Sequence, residues 1–363
     1  MRLRRSRTPS PPPPGELPPL VCHWDLDKTY LRSEFETLRD LVRTAFEKAE
    51  DKVDLPGVAE LIKVLKAAGE RHGRATFVYF VSASPPQIGG AIREKLALDG
   101  VPYDGITFKN QLANVRRGKL RNLREHVGFK LTELLRARLD APREARQLLF
   151  GDDWESDSLI YSVYADVLAG RLPHERLVPV LRRVRVDPAL IDEVAVLGAR
   201  AVGLDTVDRI FINLERRTPP ATFRLFGPRV VPTFNYFQTA AVLAADGYLD
   251  PADVARVGRR LIESAGYTPR RLENSFDDLV RRGHVELVAG VGLAAALRTE
   301  GILPSPAAAG SRWQRMLEAV GRLARRRRGY VPAASAPPGE AADVIDYDAI
   351  LDRLRGEPRP TVD

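Results

Sequence analysis

The chain has 363 residues, a net charge of +8 and 44% hydrophobic residues, which is enough for a full core and a second folded region. Its single cysteine, Cys22, excludes a disulfide framework and, because it lies in an apolar run, predicts a buried structural thiol. The N-terminus lacks the apolar core of a signal peptide and the longest charge-free apolar run, 287–297, is too short to cross a bilayer, so we expect a soluble, cytoplasmic protein with anionic partners.

Two carboxylates follow the first apolar run of the chain. Residues 1–19 combine arginines with a run of prolines and predict a disordered basic arm, and the run that begins at Leu20 then ends in Asp25 and Asp27. This pattern predicts a buried strand with two acids at its carboxyl end. Two carboxylates about 4 Å apart repel by about 4 kcal/mol at an effective dielectric of about 20, which favours a bound cation such as Mg2+. A surface turn is the alternative, because Asp is common in turns.

Strands and helices alternate through the next part of the chain. Apolar spacing predicts helices at 35–46, 58–68 and 87–98, and strands at 76–81 and 106–108. The second of the chain's strands is followed by Ser82 and Ser84, so a second strand end is polar. Alternation of this kind predicts an α/β fold in which helices cover both faces of a parallel sheet.

A lysine and a second acidic segment come next. The basic segment 116–124 is interpreted as a solvated loop. Lys130 is predicted to open a helix over 131–139, from which its ammonium group reaches the strand ends. Lys109 and Lys119 are the alternatives for this role.

The strand predicted at 147–150 runs into an acidic loop. Gly151 permits a sharp exit from the strand, and Asp152 and Asp157 can turn back toward the same cation as Asp25. Asp153 is a further candidate ligand. The alternative is a helix N-terminus whose dipole favours acidic residues.

The remaining chain is predicted to be mostly helical. A helical insertion spans 176–202, the strand 207–214 is one more strand of the sheet and closes the catalytic domain, and 218–300 forms a mostly helical second region. The segment 246–250 lacks the acid spacing of a calcium loop, so we interpret it as a turn between helices.

The C-terminal segment, 301–363, is predicted to be a partly disordered basic tail with short helices near 313–323 and 346–355. The last helix has an apolar side that docks on the body or on a partner. A run of four arginines is either solvated or a contact for an anionic membrane surface, which would make the protein peripheral at membranes: Arg325, Arg326, Arg327 and Arg328.

The order of these motifs resembles a known group of enzymes. Asp-x-Asp-x-Thr, a strand ending in Ser, a Lys, and a strand ending in Gly-Asp-x4-Asp resemble the haloacid dehalogenase (HAD) superfamily of phosphatases. The segments 81–85 and 151–157 resemble the catalytic domain of actin-patch-associated phosphatidate phosphatases. The resemblance covers about residues 20–215 and implies a three-layer, Rossmann-like sheet. This chain has Lys28 and Asp153 where those proteins usually have Asp and Ser.

The resemblance also implies roles for individual residues. Asp25 would be the nucleophile and Asp27 the general acid and base. The phosphoryl group would be bound by four residues: Thr29, Ser82, Ser84 and Lys130. Mg2+ would be held by four acids, one of them through its backbone carbonyl: Asp25, Asp27, Asp152 and Asp157.

These roles describe an Mg2+-dependent phosphomonoester phosphatase that forms an aspartyl-phosphate and acts on a phosphatidate-like lipid phosphate. The alternatives are a phosphatase of a small soluble or nucleic-acid-end phosphate, and a catalytically silent HAD-fold protein that binds or scaffolds. The sequence predicts four regions: the arm 1–19, a phosphatase domain 20–215, a helical domain 216–300 and the tail 301–363.

Overall fold

A parallel sheet lies at the centre of the described structure. The computed structural model of the protein describes residues 17–26, 29–30, 55–82, 86–109, 122–154, 156–305 and 345–356. Its strands are β1 (Leu20–Asp25), β2 (Thr76–Ser82), β3 (Gly105–Phe108), β4 (Arg146–Asp152), β5 (Val207–Asn213) and β6 (Val230–Thr233). They lie in the order β3-β2-β1-β4-β5-β6, and all neighbouring strands are parallel. The predicted fold class is confirmed.

The described helices follow the strands along the chain. They are α1 (Val58–Arg71), α2 (Gly89–Leu98), α3 (Asn122–Asp140), α4 (Asp157–Leu168), α5 (His174–Arg183), α6 (Pro188–Ala201), α7 (Tyr236–Ala245), α8 (Pro251–Ala265), α9 (Pro269–Arg281), α10 (Leu287–Thr299) and α11 (Tyr347–Gly356). Two short 3-10 helices lie at Pro86–Ile88 and Pro220–Phe226.

The helices cover both faces of the sheet and form three layers. In β4, Leu148 and Phe150 belong to a core cluster shared with α1, α2 and α7–α10, whereas Leu149 belongs to a second cluster shared with α3–α6 and α11. Strands with both faces covered are expected to be apolar throughout, which explains why β1 is buried along its whole length. The sheet therefore separates two hydrophobic cores.

Cys22 lies on β1 with no exposed surface. Burial raises the pKa of its thiol to about 12. The thiol stays protonated at neutral pH, so the predicted buried structural thiol is confirmed.

One predicted strand is confirmed with an unpredicted neighbour, and one predicted helix is wrong. β5 confirms the strand predicted at 207–214, but β6, which pairs with it, was not predicted. The helix before β4 was predicted to begin beyond Lys130, but α3 begins at Asn122 and Lys130 lies inside it. The interior Gly128 suggests a helix boundary, yet a Cβ there would lie 2.7 Å from Val186, so this glycine permits close contact between α3 and the loop before α6.

The segment 246–250 joins α7 to α8, as predicted. Gly247 has a φ of +80°, and Asp250 caps α8 in a capping box with Asp253. Asp246 receives two hydrogen bonds from Arg209 of β5, at 2.7 and 2.9 Å. The turn thus also attaches the helical region to the sheet.

The last helix, α11, docks on the body of the protein. Ile350 and Leu351 are buried in the cluster that contains α5. The Tyr347 hydroxyl donates to Asp166 of α4 at 2.7 Å, and Arg183 of α5 pairs with Asp352 at 2.5 Å. The sequence left open whether this helix docks on the body of the protein or on a partner, and the structure shows that it docks on the body.

Several predictions fall outside the described residues. They concern residues 1–16 of the arm, the helix at 35–46, most of the basic segment 116–124, the helix at 313–323 and the arginine run that starts at Arg325. The division into four regions stays a prediction. Across the parts of the chain that the structure describes, no helix combines the length and the apolar character needed to cross a membrane.

Candidate active site

Polar residues meet at the carboxyl edge of the sheet. Asp25, Ser82 and Asp152 are the last residues of β1, β2 and β4, and all three are buried. β1 lies between the other two strands, and all of them run in the same direction. The fold therefore brings together residues that are more than a hundred positions apart in sequence.

Three carboxylates form a buried cluster at this edge. Asp25, Asp152 and Asp157 each contribute an oxygen, and these atoms lie within 4.8 Å of one another. Gly151 makes this approach possible, because a Cβ at that position would lie 2.4 Å from an Asp157 oxygen. The Asp152 amide donates to the Asp157 carboxylate at 3.3 Å. Gly151 is therefore required by the packing of the acids. The predicted exit from the strand at Gly151 is wrong, because β4 continues through Asp152.

Lys130 contacts this cluster from the middle of α3. Its Nζ lies 2.7 Å from an Asp25 oxygen and 2.6 Å from an Asp157 oxygen, and its side chain is 1% exposed. Three ionised carboxylates and one ammonium group leave a net charge of −2 among these residues. Because isolated charge is costly to bury, the cluster is suited to a divalent cation.

The donor set also indicates which kind of cation fits. All three groups are carboxylates, the ligands that hard cations such as Mg2+ prefer, and the cluster offers neither thiolate nor imidazole. The buried acidic cluster thus has the chemistry of a divalent metal site.

Thr29 supports Asp152 from the loop that follows β1. Its hydroxyl donates to the Asp152 carboxylate at 3.3 Å. The Thr29 backbone carbonyl in turn accepts a hydrogen bond from the hydroxyl of Tyr236, the first residue of α7. The helical region therefore contributes to the organisation of the acidic site.

Tyr236 was missed by sequence reasoning. It lies 207 positions from Thr29, and an aromatic residue at a helix start gives no local sign of such a contact. Burial, and secondarily the charges of Asp152, Glu215 and Asp25, raise the pKa of Tyr236 well above its ordinary value. The hydroxyl therefore remains a donor over the physiological pH range.

Asp153 has different contacts from those of its neighbour Asp152. Its two carboxylate oxygens accept the backbone N–H groups of Arg216 and Thr218, at 2.9 and 3.0 Å. These contacts hold the loop that follows β5. Asp153 is therefore explained as a loop anchor, whereas Asp157 belongs to the acidic cluster.

The structure brings together most of the candidate site residues that it describes. Asp25, Thr29, Lys130, Asp152 and Asp157 are linked by the contacts above. Ser82 ends the neighbouring strand, and its carbonyl accepts the Lys109 amide at 3.1 Å. Three predicted residues, namely Asp27, Ser84 and Lys119, lie outside the described residues.

The location and chemistry of the site agree with a comparison to known families. Residues 24–173 match the model of the phosphatidate phosphatase APP1 catalytic domain. The match confirms the resemblance found in the sequence and supports a phosphatase as the class of protein to which this region is similar. No curated protein and no solved structure matches the chain.

The matched segment contains the last two residues of β1, the strands β2–β4, the helices α1–α4 and the acidic cluster. It ends before β5, β6 and α7–α10, so Tyr236 comes from outside it. The site of this chain is therefore assembled from the family segment together with the helical region.

Proposed function

We propose that the protein is an Mg2+-dependent, HAD-type phosphomonoesterase that forms an aspartyl-phosphate on Asp25. The observation that carries this proposal is the position of Asp25 at a sheet edge, 2.7 Å from the buried Lys130 ammonium group and beside two further carboxylates. Carboxylates act as nucleophiles in other phosphoryl-transfer enzymes. The match to a phosphatase family supports the same reaction class.

Asp25, Asp152 and Asp157 would hold the metal ion, together with the Asp27 backbone carbonyl. When bound, Mg2+ supplies positive charge that neutralises the phosphate oxygens. The Lys130 ammonium group compensates charge on the nucleophile and on the transferring group. Thr29 and Tyr236 keep Asp152 in place through their chain of hydrogen bonds.

The reaction takes place in two displacements at phosphorus. In the first, an Asp25 oxygen forms a bond to phosphorus while the bond to the leaving oxygen breaks, and Asp27 donates a proton to that oxygen. In the second, Asp27 takes a proton from water, whose oxygen attacks phosphorus and releases phosphate and Asp25. Ser82 and Ser84 are proposed to donate hydrogen bonds to phosphoryl oxygens. The Thr29 hydroxyl, to which the family resemblance gives the same role, already donates to Asp152, so Thr29 acts on the acid instead.

The first substrate candidate is a phosphatidate-like lipid phosphate, since the matched family is described as a phosphatidate phosphatase. Arg325, Arg326, Arg327 and Arg328 would then attract the enzyme to anionic membranes, at about 1 kcal/mol per basic residue. A second candidate is a water-soluble phosphomonoester. A cleft near the acids favours this second candidate, because most residues that line the cleft are polar.

Phosphate release from an aryl phosphate, with and without Mg2+, tests the proposal. We expect Mg2+-dependent release from the wild type and none from Asp25→Asn, because an amide cannot form the phosphoenzyme. Asp27→Asn should be slower by about 10²- to 10⁴-fold, because general acid–base catalysis is lost. Asp192→Asn, an exposed position on α6, is the control.

Two outcomes would contradict this function. Wild-type turnover in Asp25→Asn would remove the proposed nucleophile. Absence of phosphate release at every Mg2+ concentration and with every ester would instead favour a catalytically silent binding or scaffold protein.

A further inference from the structure

A cleft of about 740 Å³ opens beside the acidic cluster. Its wall includes Asn213, the last residue of β5, whose backbone lies in register with Asp152 of β4. It also includes Tyr236, the residue that holds Thr29. The volume lies within the range of about 300–1,000 Å³ that is usual for ligand pockets. The cleft is therefore close enough to the acids to be considered as the site for the leaving group of a phosphate ester.

The lining of the cleft is more polar than apolar. Twelve of the eighteen described residues that line it have polar side chains. Transfer of an acyl chain from water is driven by about 0.8 kcal/mol for each CH2 group that reaches apolar surroundings. Because the polar lining residues outnumber the apolar ones, the cleft favours a ligand that carries hydrophilic groups over an acyl chain.

Several of the lining side chains are already occupied by internal contacts. Asp278 pairs with Arg281 at 2.5 Å and with Arg282 at 2.7 Å, so its charge is compensated. The Gln238 side-chain amide donates to the Ser275 carbonyl at 2.7 Å. These groups stabilise the wall.

Two arginines of the cleft differ from these residues, because they form no ion pair within the described part of the chain. Arg217 and Arg271 line the cleft and are exposed, and in the described part of the chain neither side chain forms an ion pair with an acid. The Arg271 guanidinium lies over the Tyr267 ring, 3.8 Å from its centroid. Glu215 is the one other acid among the described lining residues, so the two cations outnumber it.

The backbone of Arg217 has an unusual conformation. Its φ is +60°, a left-handed value that costs about 1–2 kcal/mol for residues other than glycine. Asp153 maintains this conformation by accepting the amides on either side, those of Arg216 and Thr218. The loop that places Arg217 at the cleft is thus anchored by the residue that follows Asp152. Strain held in this way is typical of ligand-binding positions.

We propose that this cleft binds the leaving group, and that Arg217 and Arg271 recognise a second anionic group on a water-soluble phosphomonoester. The proposal rests on the phosphatase function and selects the soluble substrate candidate. Guanidinium groups bind phosphate and carboxylate oxygens through paired hydrogen bonds. A sugar bisphosphate has the required chemistry, whereas the diacylglycerol leaving group of phosphatidate carries no charge.

The test compares substrates that differ by one phosphate. For the wild type, kcat/KM for fructose 1,6-bisphosphate should exceed kcat/KM for fructose 6-phosphate by at least about tenfold. Arg217→Ala and Arg271→Ala should each reduce this ratio by about tenfold, mainly through KM, as expected for one charge-assisted hydrogen bond. Arg216→Ala is the matched control, because that guanidinium lies over Trp154 and the residue does not line the cleft. Its ratio should equal that of the wild type.

Equal kcat/KM values for the two sugar phosphates would overturn the inference, as would faster turnover of phosphatidate in mixed micelles. An unchanged ratio in both cleft variants would also overturn it.

Calorimetric binding of the bisphosphate to Asp25→Asn separates this inference from the proposed function. Binding that weakens on adding Arg217→Ala, together with no turnover of any ester by the wild type, would support the cleft and reject the phosphatase. Turnover of aryl phosphate by the wild type, with no binding of the bisphosphate to Asp25→Asn, would support the phosphatase and reject the role of the cleft.

Discussion

Lys130 is the buried cation that faces the acids, and its replacement has consequences beyond catalysis. Lys130→Met removes the ammonium group that contacts Asp25 and Asp157 and so takes one positive charge out of the buried cluster. Breaking a buried ion pair from one side costs about 3–5 kcal/mol. We expect a loss of this size in the free energy of unfolding without metal, and partial recovery when Mg2+ is added.

Chemical denaturation with and without Mg2+ measures both effects. Lys95→Met is the matched control, since it removes a lysine that pairs with Asp99 at 2.5 Å on the more exposed α2. Lys95→Met should lower the free energy of unfolding by less than Lys130→Met does, and Mg2+ should not change the size of this decrease. A Lys130→Met variant whose stability is independent of Mg2+ would show that the acids do not share a cation.

At the scale of elements, α7 holds the loop after β1. Tyr236→Phe removes the hydroxyl that donates to the Thr29 carbonyl and leaves that buried acceptor unpaired, at a cost of about 1–3 kcal/mol. Because Thr29 also supports Asp152, we expect a severalfold rise in the Mg2+ concentration needed for half-maximal activity. The rise in Tm on adding Mg2+ should shrink in parallel.

Tyr248→Phe controls for the loss of a tyrosine hydroxyl from the same helical region. The Tyr248 hydroxyl donates to Asp208, at the opposite end of β5 from the acids. Its removal should lower Tm without changing the Mg2+ requirement. Identical Mg2+ curves for the two variants would contradict a positioning role for Tyr236.

The sequence predicts those elements whose patterns are local. β1, β2 and β4 are continuous apolar runs that end in polar residues, so the strands and the acids at their ends are recognisable. The four-residue β6 contains Pro232, which disfavours a strand, and its pairing with β5 depends on tertiary packing. The contacts of Tyr236 and Asp153 likewise join distant segments, so they leave no periodic sign.

At the scale of the whole molecule, buried histidines limit stability in acid. Burial, and secondarily Arg138, lowers the pKa of His23 from 6.5 to about 4. Below pH 6.5 the unfolded chain therefore binds a proton that the folded chain does not. The free energy of unfolding is not reduced by His23 above pH 6.5. As the pH drops from 6.5 toward 4, proton binding to His23 in the unfolded chain lowers this free energy by up to about 3 kcal/mol.

Unfolding free energies between pH 7 and pH 4.5 measure this loss. His23→Phe keeps a ring beside Tyr79 and should show a shallower decline than the wild type. His174→Phe, at an exposed position, should decline as the wild type does. His284, whose pKa is also lowered to about 4 by burial, should maintain part of the decline in His23→Phe. Parallel curves for all three proteins would exclude His23 as the cause.

The placement of β1 between β2 and β4 has a consequence for the nascent chain. Asp25 leaves the ribosome early, but its neighbour Asp157 follows 132 residues later (157 − 25), which is roughly 10 s at common translation rates. Until then the cluster lacks its third acid, and until β4 has been synthesised β1 has an unpaired edge. The chain thus acquires its cation site only when most of the sheet has been synthesised, and Tyr236 arrives later still.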